Sequence, residues 1–140
     1  MMKKVLCPAR GLVVTGMVWL LLVGLPMTVL AQSLPFSVAR LVVCENVQNR
    51  TPVNVMEVFP AGTERVFCFL EARDIPAATE IKMAWYHEEQ EVARVPLTIG
   101  PSPRWRTYTS KMTMGRKGNW KVYLLDSADN SLASVQFVLE

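Results

Sequence analysis

The stretch "EIKMAWYHEEQEVARVPLTI", Glu80 to Ile99, consists of two alternating runs on either side of a polar break. Ile81, Met83 and Trp85 alternate with Glu80, Lys82 and Ala84, and Ala93, Val95, Leu97 and Ile99 alternate with Arg94, Pro96 and Thr98. A strand turns successive side chains to opposite faces, so each run gives one apolar face, and His87-Glu88-Glu89-Gln90 between them reads as a reversal. The same period recurs at Trp120, Val122 and Leu124 and at Ala133, Val135, Phe137 and Leu139. Val38 to Val47 and Val66 to Ala72 are more continuously apolar, as central strands are. Arg104 to Met114 is rich in Thr, Tyr and Trp, which favour a pleated surface. No window of ordinary helical length carries a persistent apolar stripe.

Turn residues separate these runs at regular intervals: Asn49 to Pro52, Pro60 to Gly62, Ile75-Pro76, Gly100 to Pro103, Gly115 to Gly118 and Ser127 to Asn130. The pattern predicts an all-β domain, an immunoglobulin-like antiparallel β-sandwich of about seven strands, over residues 38–140. Residues 32–37 form a short linker. In true immunoglobulin domains a Trp lies between the two Cys, whereas here both precede Trp85.

Residues 1–31 have the layout of a secretory signal peptide helix. Lys3, Lys4 and Arg10 precede the apolar run from Gly11 to Leu25, Pro26 breaks it, and Val29-Leu30-Ala31 offers a cleavage site between Ala31 and Gln32. The alternative is an uncleaved anchor facing the periplasm, because a span needs roughly 20 apolar residues. The expected location is therefore periplasmic or secreted, with membrane contact only through this segment if it is retained. Of the chain's 15 Lys and Arg, three lie in the signal, and the 12 that remain balance 12 Asp and Glu. A nucleic-acid partner is not expected of a neutral, exported chain.

Two cysteines follow the signal, Cys44 and Cys68. An even pair in an exported domain is most simply a disulfide, closing a loop for which chain entropy gives about 3 kcal/mol. A redox role lacks the C-x-x-C spacing that lowers a thiol pKa.

Several stretches carry a family resemblance. "FPAGTERVFCF" (Phe59 to Phe69), "WYHEEQEVARVPL" (Trp85 to Leu97), "PRWRTYTSK" (Pro103 to Lys111) and "GNWKVYLLDSADNSLASVQFVLE" (Gly118 to Glu140) resemble the bacterial DUF2914 family, a domain of unknown function. The most specific string is Trp105, Arg106, Thr107, Tyr108, Ser110 and Lys111, followed by Gly118 and Trp120. The resemblance implies export and Cys at positions like Cys44 and Cys68, and adds no chemistry. Met83 stands where family members commonly have His, so no role passes to that position.

Candidate chemistry is sparse. His87 is the only histidine, so a three- or four-ligand zinc site has no partners, and neither a metal nor a cofactor is expected. Glu88, Glu89 and Glu91 crowd one turn as solvated charge rather than a pocketed carboxylate pair. Ser110 and Lys111 are adjacent on a strand and point to opposite faces, which defeats a local dyad. An enzyme is therefore not expected. Trp85, Trp105 and Trp120 are expected core aromatics, although period two alone leaves open which of Trp105 and Tyr108 faces inward. Arg104, Arg106, Tyr108 and Lys111, in a stretch free of acidic residues, are the candidate binding surface. The expected function is a non-catalytic envelope module that binds another protein through a sheet face or edge strand, with a glycan as the alternative ligand.

Overall fold

The computed structural model describes Gly11 and residues 35–140. The chain divides into two units, residues 1–31 and 32–140. Apart from Gly11, the expected signal peptide and its expected Ala31/Gln32 cleavage site lie outside the described residues.

The described domain is an all-β sandwich of nine strands: β1 (Ser37–Gln48), β2 (Thr51–Val55), β3 (Val58–Phe59), β4 (Arg65–Ile75), β5 (Thr79–His87), β6 (Gln90–Ile99), β7 (Ser102–Met112), β8 (Gly118–Asp126) and β9 (Ser131–Leu139). One sheet has the order β2-β1-β4-β7 and the other β3-β9-β8-β5-β6. All pairings are antiparallel except that of β3 with β9. The count exceeds the expected seven because β2 and β3 arise in Asn49 to Pro60, where turn residues obscure alternation. Asn49 and Arg50 both take positive φ, as do Glu88 and Glu89, so both pairs make two-residue reversals whose twist matches that of the flanking strands.

Alternation packs the core. Val66, Cys68, Leu70 and Ala72 of β4 face Ile81, Met83 and Trp85 of β5, Trp120, Val122 and Leu124 of β8, and Phe137 and Leu139 of β9, all within one buried cluster. Phe137 organises the aromatics: Trp120 stacks on it at 5.8 Å, and Phe59 and Trp85 meet it edge-on at 5.3 and 6.4 Å. Each large ring here removes about 150–250 Å² from water.

Two tryptophan N–H groups need partners inside. Trp120 Nε1 donates to the Arg116 carbonyl at 2.9 Å, which ties the β7–β8 turn to the core. Trp85 Nε1 donates to Thr109 Oγ1 at 3.2 Å, and that hydroxyl donates in turn to Met83 Sδ at 3.1 Å. Thr109 thus links β7 to the opposite sheet with a buried polar group whose capacities are used.

Thr109→Val keeps the shape but leaves the Trp85 N–H without an acceptor. Its denaturant midpoint should fall by the equivalent of about 1–3 kcal/mol, whereas Thr109→Ser, which keeps the hydroxyl, should lose less.

Candidate binding surface on the four-stranded sheet

The register between β4 and β7 decides the orientation left open by the sequence. Ala72 pairs with Trp105, Leu70 with Thr107 and Cys68 with Thr109, so Trp105 faces inward with the core residues of β4. Trp105 is half-buried against that core, its ring lying under Gly100. Tyr108 pairs with Phe69 and faces outward, 47% exposed.

Reading across the outer face of this sheet gives three kinds of row. At one end, Arg40, Glu71 and Arg106 lie side by side on β1, β4 and β7, next to the row of Arg73 and Arg104. The middle is apolar: Val42, Phe69 and Tyr108, then Cys44 and Phe67, with Val55 of β2 beside Cys44. Phe67 and Tyr108 pack at 5.9 Å between ring centroids. At the far end stand Arg65 and Met112, with Arg65 Nη1 donating to Ser110 Oγ at 3.0 Å. Val55 and Met112 are 44% and 38% exposed, so the belt meets solvent although Phe69 and Cys44 beneath it do not.

Glu71 is the one acidic side chain among the arginines. Its Oε1 accepts from Arg73 and its Oε2 from Arg104, at 2.9 and 3.0 Å. Hydrogen bonds from Arg104 and Arg73 hold its carboxyl below the usual glutamate range against the opposing effect of burial. Arg40 and Arg106, flanking Glu71 across the sheet, make no ion pair among the described residues. Four arginines therefore surround one carboxylate on this face, and two of them, Arg73 and Arg104, pair with it.

Arg104, Arg106 and Tyr108 come together as the sequence suggested, but Lys111 does not join them. It pairs with Val66 and belongs to the inward row, at the rim of the sandwich. Arg40, Arg73 and the two phenylalanines Phe67 and Phe69 were missed. Their strands announced only burial, and the pairing register alone brings them beside β7.

The disulfide expectation is corrected. Cys44 pairs across the sheet with Phe67 and Cys68 with Val43, so neighbouring register positions turn the two thiols to opposite faces. Cys68 lies in the core between the sheets and Cys44 under the outer belt, and both are free. Cβ vectors that diverge in this way are not bridged without moving the backbone. Burial raises both thiol pKa values, which favours the unreactive protonated form.

Other singled-out residues have structural partners. His87 Nε2 is 2.8 Å from the Lys117 carbonyl, and its ring lies 4.5 Å from Trp120. Glu88 Oε1 accepts from the Asn119 amide at 2.8 Å, over Gly118, whose φ of 113° favours glycine. Glu91 pairs with Arg94 at 2.7 Å, and Asp129 bridges Arg94 and Lys82. On the outside of the second sheet a shallow depression of about 680 Å³ is bordered by Tyr86, Tyr123, Lys121, Glu89 and Gln136. Among the described residues no three His, Cys, Asp or Glu side chains gather as metal ligands.

The class defined so far is a β-sandwich domain with a basic, partly apolar face on its smaller sheet. The model of the DUF2914 family, described as a protein of unknown function, matches residues 78–139, from the start of β5 to the end of β9. The matched span includes the Trp105 to Lys111 string and stops short of β1 to β4, which supply the rest of the basic face. Comparison with curated proteins finds no match.

Two measurements follow from this geometry. Thiol labelling without reductant should find Cys44 and Cys68 unreactive in the folded domain and both reactive after unfolding. Because the Glu71 pKa is depressed, its share of stability is fully present above the unfolded glutamate value and is lost as pH falls through the lower folded value. Glu71→Gln should therefore flatten the acid limb of the pH–stability curve below the ordinary carboxylate range.

Proposed function

We propose that this domain is a non-catalytic interaction module of the cell envelope that binds another protein through the outer face of the four-stranded sheet. The observation that carries the reading is the apolar belt of Val55, Tyr108 and Met112 beside an arginine group with a single carboxylate. Protein interfaces are enriched in aromatic residues, Met and Arg, and their energetic centres in Tyr, Trp and Arg. The charge of the face selects a partner with acidic side chains next to apolar ones. Export follows from the signal-like residues 1–31, with a retained anchor as the alternative, and either arrangement keeps the domain on the envelope side.

A half-exposed Tyr108 next to Arg106, which makes no ion pair among the described residues, also favours a second reading, an anionic glycan that stacks on the ring and pairs with the guanidinium. Envelope extracts distinguish the two. Capture of a protein partner by the wild type, lost with Val55→Lys and Arg106→Ala, is the expected outcome. Retention of all captured proteins with loss of glycan binding would overturn the protein-binding reading.

A further inference from the structure

A sandwich of two open sheets has four edge strands, and here three of them are blunted. β2 is five residues long and contains Pro52 and Asn54, the latter at φ 54°. β3 has only two residues. β6 carries Pro96 in its interior, where the ring removes a donor. Short strands, prolines and kinks are how natural sheets refuse additional strands. β7 differs: it runs for 11 residues, has no proline after Pro103, and has no positive φ along its length.

The side chain of Ser102 reveals which backbone groups of β7 point outward. Its hydroxyl donates to the Arg104 carbonyl at 2.7 Å and accepts from the Arg104 amide at 3.1 Å. In an antiparallel ladder the N–H and C=O of one residue point to the same side, and successive residues alternate. Arg104 therefore turns its backbone away from β4, and Arg106, Tyr108 and Ser110 turn theirs the same way. The first of these outward positions is stoppered by Ser102. The next three have no backbone partner beyond the strand ladder among the described residues.

We propose that the open edge of β7 takes up an extended acidic segment of a partner protein by antiparallel strand addition, at Arg106, Tyr108 and Ser110. This rests on the protein-binding reading above and specifies how the partner engages. Strand addition takes its affinity from main-chain hydrogen bonds and its selectivity from alternate side chains. The partner residue opposite Tyr108 extends the apolar belt, and the one two places towards its C-terminus meets Arg106, which pairs with no carboxylate among the described residues. Two places further, a second acidic residue meets Arg104. The recognised pattern, read from the N-terminus, is apolar-x-acidic-x-acidic. A second copy of this chain does not satisfy it, because β7 carries Arg104, Arg106 and Lys111 and no acidic residue, so pairing two copies sets like charges together.

The probe is the acetylated peptide Thr-Thr-Leu-Thr-Glu-Thr-Glu, titrated into the purified protein and followed by amide NMR shifts. Binding should perturb the amides of Arg106, Tyr108 and Ser110. N-methylation of the Leu, which removes the hydrogen bond to the Tyr108 carbonyl, should abolish it. N-methylation of the preceding Thr, whose N–H points to solvent, should leave it intact. Arg106→Glu should weaken binding by about tenfold or more, equivalent to about 1.4 kcal/mol. No binding at millimolar peptide, or equal sensitivity to the two methylations, overturns strand addition. If envelope-protein capture by the wild type persists in that case, the face reading stands and only the edge is excluded.

Discussion

Strand β4 lies between β1 and β7 and has side chains buried on both of its faces, and most of the domain is organised by that constraint. Its inward residues, Val66, Cys68, Leu70 and Ala72, close the core against the second sheet. Its outward residues, Phe67, Phe69 and Glu71, support the belt and anchor the arginines. A one-residue slip of β7 along β4 would exchange these roles, exposing Trp105 and Thr109 and burying Arg106. The hydrogen bonds of Thr109 to Trp85 and Met83 oppose such a slip, because they are made only when Thr109 faces inward.

The same constraint explains why residues 32–140, with 12 basic and 12 acidic side chains, have a basic face. Arg40, Arg73, Arg104 and Arg106 come from three strands and surround Glu71, which pairs with Arg73 and Arg104, while other acidic residues are engaged elsewhere. Glu91 and Asp129 are paired with Arg94 and Lys82 on the second sheet, and Glu88 is held by the Asn119 amide. Those carboxylates are thus matched by partners on the second sheet, while the four arginines of the first sheet surround a single one. Such a distribution gives orientation and partner choice more readily than raw affinity.

Much of the architecture was legible in the sequence. Alternation at Ile81 to Ile99, at Trp120 to Leu124 and at Ala133 to Leu139 located β5, β6, β8 and β9, since a half-buried strand leaves a period of two. β2 and β3 were not legible, because short edge strands that contain Pro52 or only two residues bury too little to leave a pattern. The disulfide expectation failed for a geometric reason: two cysteines on neighbouring strands share a face only at matched register, and a count of cysteines contains no register. The candidate surface was half legible. Arg104, Arg106 and Tyr108 sit at alternate positions of one strand, whereas Lys111 breaks their parity.

The sequence by itself determined that the domain is all-β, which side chains can share a face within each strand, and that the Trp105 to Lys111 string is basic and aromatic. These are local properties, set by the two-residue repeat of an extended chain. The tertiary structure alone decided that Tyr108 faces out and Trp105 in, that Arg40 and Arg73 join Arg104 and Arg106 around Glu71, and that Cys44 and Cys68 point apart. Each of these depends on which residue lies opposite which across strands far apart in the chain. That register is fixed by burying two faces of β4 at once.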